Sequence, residues 1–225
     1  MKALFAPLLA GWPVALAEMD PREAPTDLGV LHPSEVADIS PKAVDARRRE
    51  RVAGRLLARE VLARLGVAAP VPAGPARAPR WPPGIVGSIT HTTSHAAVAV
   101  ARRSELEALG LDVEGAEPLD AALFSRVLTA RERHALDALA PAEAGWRAKV
   151  AFSAKECAYK AQHARSATYL GFEAMEIHLE EEAGRSGAFR ARFTADVPGH
   201  FAQGDHIEGR WRIDAGLVAT ACRLG

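Results

Sequence analysis

Hydrophobic residues at helical spacing predict a long helix at residues 41–65. Its apolar face is made of Val52, Leu56, Leu57, Val61, Leu62 and Leu65. Ser40-Pro41 is typical of a helix start, and Gly66 is typical of a helix end. A second, longer helix is predicted at residues 142–164.

Alternating and β-branched residues predict strands in most of the remaining chain. The predicted strand segments are residues 3–19, 85–101, 109–114, 174–179, 188–196, 206–214 and 217–223. The first two segments are each expected to hold two strands around a turn. Shorter helices are predicted at residues 119–124 and 130–139. Prolines indicate irregular connections at residues 20–41 and 68–84.

The order of these elements suggests an internal duplication, although no strong sequence repeat is present. The pattern of a strand, a long helix and further strands occurs twice along the chain. We therefore expect an α+β fold of two pseudo-symmetric halves, each a long helix packed on a small antiparallel sheet. The halves are predicted to be residues 1–108 and 109–225, joined in one pseudo-dimeric globular unit. Such a chain is expected to be a monomer.

Composition is that of a folded globular protein. Among 225 residues, 28 Lys and Arg balance 28 Asp and Glu, and 48% are hydrophobic. This balance argues against nucleic acid or a membrane surface as a partner. No apolar run approaches the ~20 residues of a membrane span. The two cysteines are too few for a disulfide scaffold and favour the cytoplasm.

The N-terminus loosely imitates a secretory signal. An apolar run follows Lys2 and ends near small residues at Ala15 and Ala17. Pro7 and Pro13 interrupt the run, so we interpret it as strands rather than a signal.

The zero net charge is a sum of separated charges. Residues 42–80 contain ten cations and three acids, a local charge of +7. Residues 104–120 contain six acids and no cation. On the predicted first helix, Arg48, Arg51, Arg55 and Arg59 share one face, either as a solvated surface or as a site for an anionic ligand.

Two carboxylates are predicted to project from one side of a strand. Asp112 and Glu114 are two residues apart, flanked by apolar Leu111 and Val113. Like charges side by side repel each other, and a hard divalent cation would relieve that repulsion. The alternative is a solvated strand edge.

A further acid lies between two lysines on the second long helix. Glu156 and Lys160 are four residues apart, with Lys155 beside Glu156. They could form an ordinary helical ion pair. They could instead supply a third metal ligand and ammonium groups for phosphates, since Mg²⁺ often binds through carboxylates and substrate phosphates.

Two histidines lie among small hydroxyl residues at 87–95. His91 and His95 could suggest zinc, but no third Cys or His has suitable spacing. We interpret His91, next to Thr90, as a contact for phosphate and His95 as structural.

Three spaced motifs together resemble the 4′-phosphopantetheinyl transferase superfamily. They are Gly-Ser-Ile-Thr-His at 87–91, Gly-Leu-Asp-Val-Glu at 110–114 and Phe-Ser-Ala-Lys-Glu-Cys-Ala-Tyr-Lys at 152–160. Ala53-Gly54-Arg55 and Trp81-Pro82 are similar to the enterobactin-type subgroup of its monomeric, double-length branch. The resemblance implies transfer of the 4′-phosphopantetheine group of coenzyme A to a serine of an apo acyl or peptidyl carrier protein. The second product is adenosine 3′,5′-bisphosphate.

The resemblance also implies residue roles. It assigns Mg²⁺, or Mn²⁺, to Asp112, Glu114 and Glu156. It implies that Lys155 and Lys160 neutralise the phosphates and the leaving group. It implies that the coenzyme A 3′-phosphate is bound by Thr90, His91, Arg55 and Arg77, with Arg48 as a weaker candidate. The base that deprotonates the serine is either Glu156 or Lys155.

The partner surface and the pathway are less defined. Leu123 and Phe124 are either a carrier-docking surface or part of the core. The carrier could serve siderophore, polyketide or nonribosomal peptide synthesis. Two other functions are possible, namely a metal-dependent nucleotide phosphohydrolase that uses the same acids and a non-catalytic anion-binding module built on the arginine-rich helix.

Overall fold

The computed structural model describes residues 3–37, 39–40, 42–181 and 185–225. Its α-helices are α1 (Pro33–Val36), α2 (Asp45–Arg64), α3 (Phe124–Val127), α4 (Ala130–Leu136) and α5 (Pro141–Ser166). Its strands are β1 (Ala15–Met19), β2 (Ile85–His91), β3 (Ala96–Arg102), β4 (Ala108–Gly115), β5 (Met175–Glu181), β6 (Ser186–Phe193), β7 (His206–Asp214) and β8 (Leu217–Leu224). Short 3₁₀ turns at Pro21–Glu23, Leu28–Val30, Pro75–Arg77, Ala121–Leu123 and Phe172–Ala174 connect them.

The first half is α2 packed on a three-stranded antiparallel sheet in the order β1-β3-β2. The apolar face of α2 buries Val52, Leu57 and Val61 against Val98 and Val100 of β3. This confirms the predicted amphipathic helix. The helix begins at Asp45, after residues 42–44 in a turn and extended chain, rather than at residue 41. Pro41 itself lies outside the described residues.

The N-terminal segment differs from the prediction. Residues 4–12 form turns instead of the first expected strand, and only Ala15–Met19 is extended. Leu9 donates its backbone N–H to the Phe5 carbonyl at 3.0 Å, as in a helical turn. The Glu18 carboxylate accepts the N–H groups of Leu4 and Phe5, both at 3.0 Å. A short apolar run is compatible with either structure, because burial alone does not fix the backbone.

The second half is α5 packed on a five-stranded antiparallel sheet in the order β4-β8-β7-β6-β5. Phe189, Phe193 and Trp211 fill the core between this sheet and the helix. The four strands predicted in the tail are present. Strand β6 ends at Phe193, earlier than predicted, because the chain turns away before it re-enters the sheet at His206.

The α+β prediction is confirmed, with a long helix on an antiparallel sheet in each half. The two sheets are unequal, with three and five strands. They meet where β2 lies beside β4. There the Ser88 hydroxyl accepts the Leu111 N–H at 2.9 Å, and the Thr90 hydroxyl accepts the Val113 N–H at 3.0 Å.

Two motif glycines permit close packing near this junction. A Cβ on Gly110 would collide with the carbonyl oxygen of Cys157 in α5. A Cβ on Gly87 would lie 2.8 Å from the Trp81 ring and from the Ala99 carbonyl oxygen. Both positions therefore require glycine for the approach of a neighbour rather than for an unusual backbone angle.

Among the described residues, no helix is both long enough and apolar enough to cross a bilayer.

Candidate active site

A cavity of about 330 Å³ lies at the junction of the two halves. Helix α2 and strand β2 line it from the first half, and α5 lines it from the second. The polar and aromatic side chains in its wall are Glu50, Arg51, Arg55, Arg77, Trp81, Ser88, His91, Glu156, Tyr159, Lys160 and His163. Both halves are thus needed to form it.

The wall from the first half is basic. Arg51 and Arg55 reach it from one face of α2, because they are four residues apart. Arg77 reaches it from the loop before β2. Guanidinium groups bind phosphates through planar pairs of N–H donors. This wall therefore suits the phosphates of an anionic ligand.

In the wall from the second half, Lys160 is paired with a buried acid that does not itself line the cavity. Asp112, buried on β4, accepts a hydrogen bond from Lys160 Nζ at 2.7 Å through Oδ1. Its Oδ2 accepts a hydrogen bond from the Ser153 hydroxyl at 2.9 Å. Lys160 also donates to the Leu111 carbonyl at 2.8 Å. Burial alone would lower the pKa of Lys160, but the Asp112 carboxylate outweighs this and raises it, so the ammonium form persists.

The negative charge of Asp112 affects the ionisation of Glu114 and Glu156. Burial and the Asp112 carboxylate raise the pKa of Glu114 to about 7. Burial and Asp112 also raise the pKa of Glu156, against the opposing effect of Lys160. Lys149 Nζ lies 4.0 Å from Glu114 Oε2 and only partly offsets the repulsion. In the metal-free protein these two glutamates therefore ionise less readily than ordinary carboxylates, first because they are buried and second because Asp112 is close.

This donor set fits a hard divalent cation. Mg²⁺ and Mn²⁺ prefer oxygen ligands, and a cation would relieve the mutual repulsion of Asp112, Glu114 and Glu156. Over the part of the chain that the structure describes, no three Asp, Glu, His or Cys side chains are grouped closely enough to hold a metal as they stand. Glu114 and Glu156 are partly exposed and Asp112 is buried, so a bound cation would require the two glutamates to turn toward Asp112.

Lys155 does not line the junction cavity with Lys160. Its side chain is 1% exposed, and its Nζ donates to the Val127 carbonyl, the Phe172 carbonyl and Glu132 Oε2 at 2.7–2.9 Å. Neighbouring residues on a helix point ~100° apart, so Glu156 lines the junction cavity and Lys155 does not, although both line a smaller groove beside Tyr159 and Phe172. The expectation that Lys155 contacts phosphates and the leaving group does not match this placement.

The predicted anion contacts divide into two groups. Arg55, Arg77 and His91 line the cavity together with Lys160. Thr90 is buried, and its hydroxyl is used at the junction of the sheets rather than in the cavity wall. Arg48 Nε donates to the Ala43 carbonyl at 2.9 Å, and the side chain does not line the cavity.

Several site residues were not predicted from the sequence. Ser153 and Glu132 hold Asp112 and Lys155, respectively, but nothing in their local sequence indicates these partners. Glu50 lines the cavity despite its charge. Tyr159 could have been found, because it lies on the helix between Glu156 and Lys160 in the third motif.

A second, smaller groove of about 250 Å³ begins on the other side of Glu156. Its wall is mainly apolar and aromatic and is formed by Lys155, Tyr159, Tyr169, Leu170, Gly171, Phe172 and Met175. Glu156 lines both the cavity and this groove. An elongated ligand could therefore place a charged end in the cavity and a less polar end in the groove, with its middle beside the Glu156 carboxylate.

Comparisons with known proteins agree with these features. Residues 34–101 match the 4′-phosphopantetheinyl transferase N-terminal domain, and residues 108–216 match the 4′-phosphopantetheinyl transferase superfamily. The chain is 37% identical to the 4′-phosphopantetheinyl transferase Svp of Streptomyces mobaraensis, over 97% of this chain and 88% of that protein. It is 35% identical to the 4′-phosphopantetheinyl transferase Npt of Nocardia iowensis, over 93% of this chain and 96% of that protein.

The predicted likeness to the enterobactin-type subgroup is supported in part. Enterobactin synthase component D of Salmonella typhi is 35% identical over 58% of this chain and 54% of its own length. The matches to Svp and Npt extend over nearly the whole chain. This chain therefore belongs to the 4′-phosphopantetheinyl transferase superfamily.

Proposed function

We propose that this chain transfers 4′-phosphopantetheine from coenzyme A to a serine of an apo carrier protein at the junction cavity. The observation that carries this proposal is the arrangement of the cavity. A wall with arginines from the first half faces Glu156 and Lys160 from the second, and the buried Asp112 holds Lys160. The ligand that this arrangement suits has several phosphates and needs charge neutralisation at one of them.

Coenzyme A has the required shape. Its nucleotide phosphates belong in the cavity with Arg51, Arg55 and Arg77. Its pantetheine arm belongs in the less polar groove beside Tyr159 and Phe172. The pyrophosphate between these two ends then lies near Glu156 and Lys160. The reacting phosphorus is the one on the pantetheine side.

Asp112, Glu114 and Glu156 are the residues that would hold a divalent cation, Mg²⁺ or Mn²⁺. When bound, such a cation neutralises charge on the pyrophosphate, which is the main requirement of phosphoryl transfer. Lys160 adds a fixed positive charge at the same place, because Asp112 and the Leu111 carbonyl hold its ammonium group.

In the transfer step, the serine oxygen forms a bond to phosphorus and the phosphoanhydride bond breaks. We assign the serine proton to Glu156, because its carboxylate lies where the cavity and the groove meet, next to the place proposed for the pyrophosphate. Lys160 and the arginine wall stabilise the departing adenosine 3′,5′-bisphosphate. Lys155 supports this step indirectly, by holding α5 against the segments that contain Val127 and Phe172.

The test is a mass-shift assay with a panel of apo acyl and peptidyl carriers. Wild-type protein, coenzyme A and Mg²⁺ should yield a carrier heavier by one phosphopantetheine. Phosphate release from coenzyme A without any carrier would instead support a phosphohydrolase. Coenzyme A binding without either product would support an anion-binding module.

The remaining expectations belong to this proposal. Cavity residues from both halves of one chain support a monomer acting as one unit, with residues 1–108 and 109–225 as its halves. A soluble carrier and coenzyme A as substrates suit a cytoplasmic enzyme.

Leu123 is 43% exposed and is available for carrier contact, whereas Phe124 packs partly on the core of the second half.

A further inference from the structure

A buried acid lies in the wall that should attract phosphates. The Glu50 side chain is only 7% exposed, and Glu50 lines the junction cavity beside Arg51 and Arg55. A carboxylate at this place repels an anionic ligand and weakens its binding. Glu50 therefore requires a role that offsets this repulsion.

Glu50 lies between two basic groups. Its Oε2 accepts a hydrogen bond from Arg47 Nη1 at 3.0 Å, and the Arg47 side chain is largely exposed. The same oxygen lies 3.5 Å from His91 Nδ1 at the end of β2. A small rotation of either side chain would complete an Nδ1–H···O hydrogen bond.

The surroundings of His91 keep its ring uncharged in the ligand-free protein. Burial is the largest effect and lowers the pKa of His91, with Lys160 of α5 and Arg47 of α2 acting in the same direction. Glu50 of α2 and Asp112 of β4 act in the opposite direction. A phosphate entering the cavity adds negative charge and shifts this balance toward the imidazolium form.

The two ring nitrogens can then serve different partners. Imidazolium has an N–H at each nitrogen, and the two point away from each other. With Nδ1–H directed at Glu50, Nε2–H is left to donate to a phosphate oxygen. A neutral ring whose single proton is on Nδ1 offers only a lone pair to the phosphate, which is unfavourable.

We propose that Glu50 is a positioning residue that orients His91 and allows it to take up a proton when a phosphate group of coenzyme A binds in the cavity. This proposal rests on the proposed function, because coenzyme A is the ligand. It predicts that coenzyme A binds more weakly as the pH rises through neutrality, while protons are taken up from the buffer.

The sign of the effect of Glu50→Gln separates this role from simple repulsion. If Glu50 only repelled the ligand, its neutralisation would tighten binding. The proposal predicts the reverse, a roughly tenfold weaker affinity at pH 7.5. Calorimetric titration with coenzyme A and Mg²⁺, in buffers with different ionisation heats, measures affinity and proton uptake together.

The variants define the contribution of the ring. His91→Ala gives the proton uptake that remains without imidazole, including that of the phosphate itself. Glu50→Gln should take up no more than His91→Ala, and its affinity should vary less with pH than that of the wild type. Glu50→Asp keeps the charge but withdraws the oxygen from Nδ1, so it should resemble Glu50→Gln. Glu60→Gln, on the exposed side of the same helix, is the matched control and should behave as the wild type.

Equal or tighter coenzyme A binding by Glu50→Gln and Glu50→Asp, with wild-type proton uptake, would overturn this inference alone, because carrier modification could still proceed. Failure of the wild type to bind coenzyme A would overturn the proposed function and this inference with it. Thermal unfolding of each variant shows whether an altered affinity reflects loss of folded protein.

Discussion

At the scale of single residues, the chemistry depends on groups whose ionisation the fold has changed. Glu114 is the clearest case, because burial and the nearby Asp112 carboxylate raise its pKa to about 7. The motif at 110–114 predicted two acids on one side of a strand. It could not predict that Asp112 would be held by Ser153 and Lys160, because these partners come from α5, some 40 to 50 residues away.

The shifted pKa of Glu114 makes the stability of the metal-free protein depend on pH. The folded state keeps the Glu114 proton up to about pH 7, whereas the unfolded chain loses it near the ordinary value of 4.5. The Glu114 contribution to folding therefore becomes unfavourable as the pH rises between these values. Glu114→Gln should raise the free energy of unfolding by about 1–2 kcal/mol at pH 8.

Denaturant unfolding in the presence of a chelator tests this prediction. The difference between Glu114→Gln and wild type should shrink toward zero at pH 5. The exposed Glu105→Gln should show no such pH dependence. A Glu114→Gln protein that is no more stable at pH 8 than at pH 5, relative to wild type, would show that Glu114 is not destabilised by its surroundings.

At the scale of elements, α5 organises the second half by presenting different residues to different neighbours. Ser153 and Lys160 face Asp112, whereas Lys155 faces Glu132 and the chain before β5. This helix and its approximate ends were predicted from the sequence. The sequence could not show which neighbours Lys155 contacts, because that depends on how the helix is rotated against the sheet.

The apolar segment before β1 was wrongly predicted as a strand for a similar reason, since its turns are stabilised by the distant Glu18.

The placement of Lys155 predicts a structural rather than a phosphate-binding role. Lys155→Met leaves Glu132 as an uncompensated buried acid and should lower the free energy of unfolding by roughly 3–5 kcal/mol. Lys155→Met combined with Glu132→Leu removes both charges and should recover part of this loss. Denaturant unfolding measures the stabilities.

A role of Lys155 in phosphate binding predicts a different result. It would weaken coenzyme A binding in Lys155→Met with little change in stability, and Glu132→Leu would give no recovery. Lys160→Met is the informative comparison, because Lys160 lies in the cavity wall and its loss should directly reduce transfer activity.

At the scale of the whole molecule, the zero net charge conceals two opposed regions. The segment of charge +7 supplies the arginine wall, and the acidic segment supplies Asp112 and Glu114. Their separation along the sequence was visible at once. How close they come in space depends on the packing of β2 beside β4 through Ser88 and Thr90, which the sequence does not reveal. In the structure, Lys160 of the cavity wall is hydrogen-bonded to the buried Asp112.

A cavity built from both halves of one chain predicts activity without self-association. Sedimentation analysis should give a mass near 24.0 kDa that does not change with concentration. Activity per mole of chain should likewise be constant on dilution. A dimer whose activity falls as it dissociates would show that a second copy completes the site.

The most direct test of the central claim is the rate at which an apo carrier gains phosphopantetheine, followed by intact mass with saturating coenzyme A and Mg²⁺. Asp112→Asn should reduce this rate by at least about a hundredfold, since it removes a charged ligand of the divalent cation that would neutralise the pyrophosphate. Glu105→Gln, an exposed acid from the same segment, should modify the carrier at the wild-type rate. Unchanged transfer by a folded Asp112→Asn protein would contradict the assignment of the junction cavity as the active site.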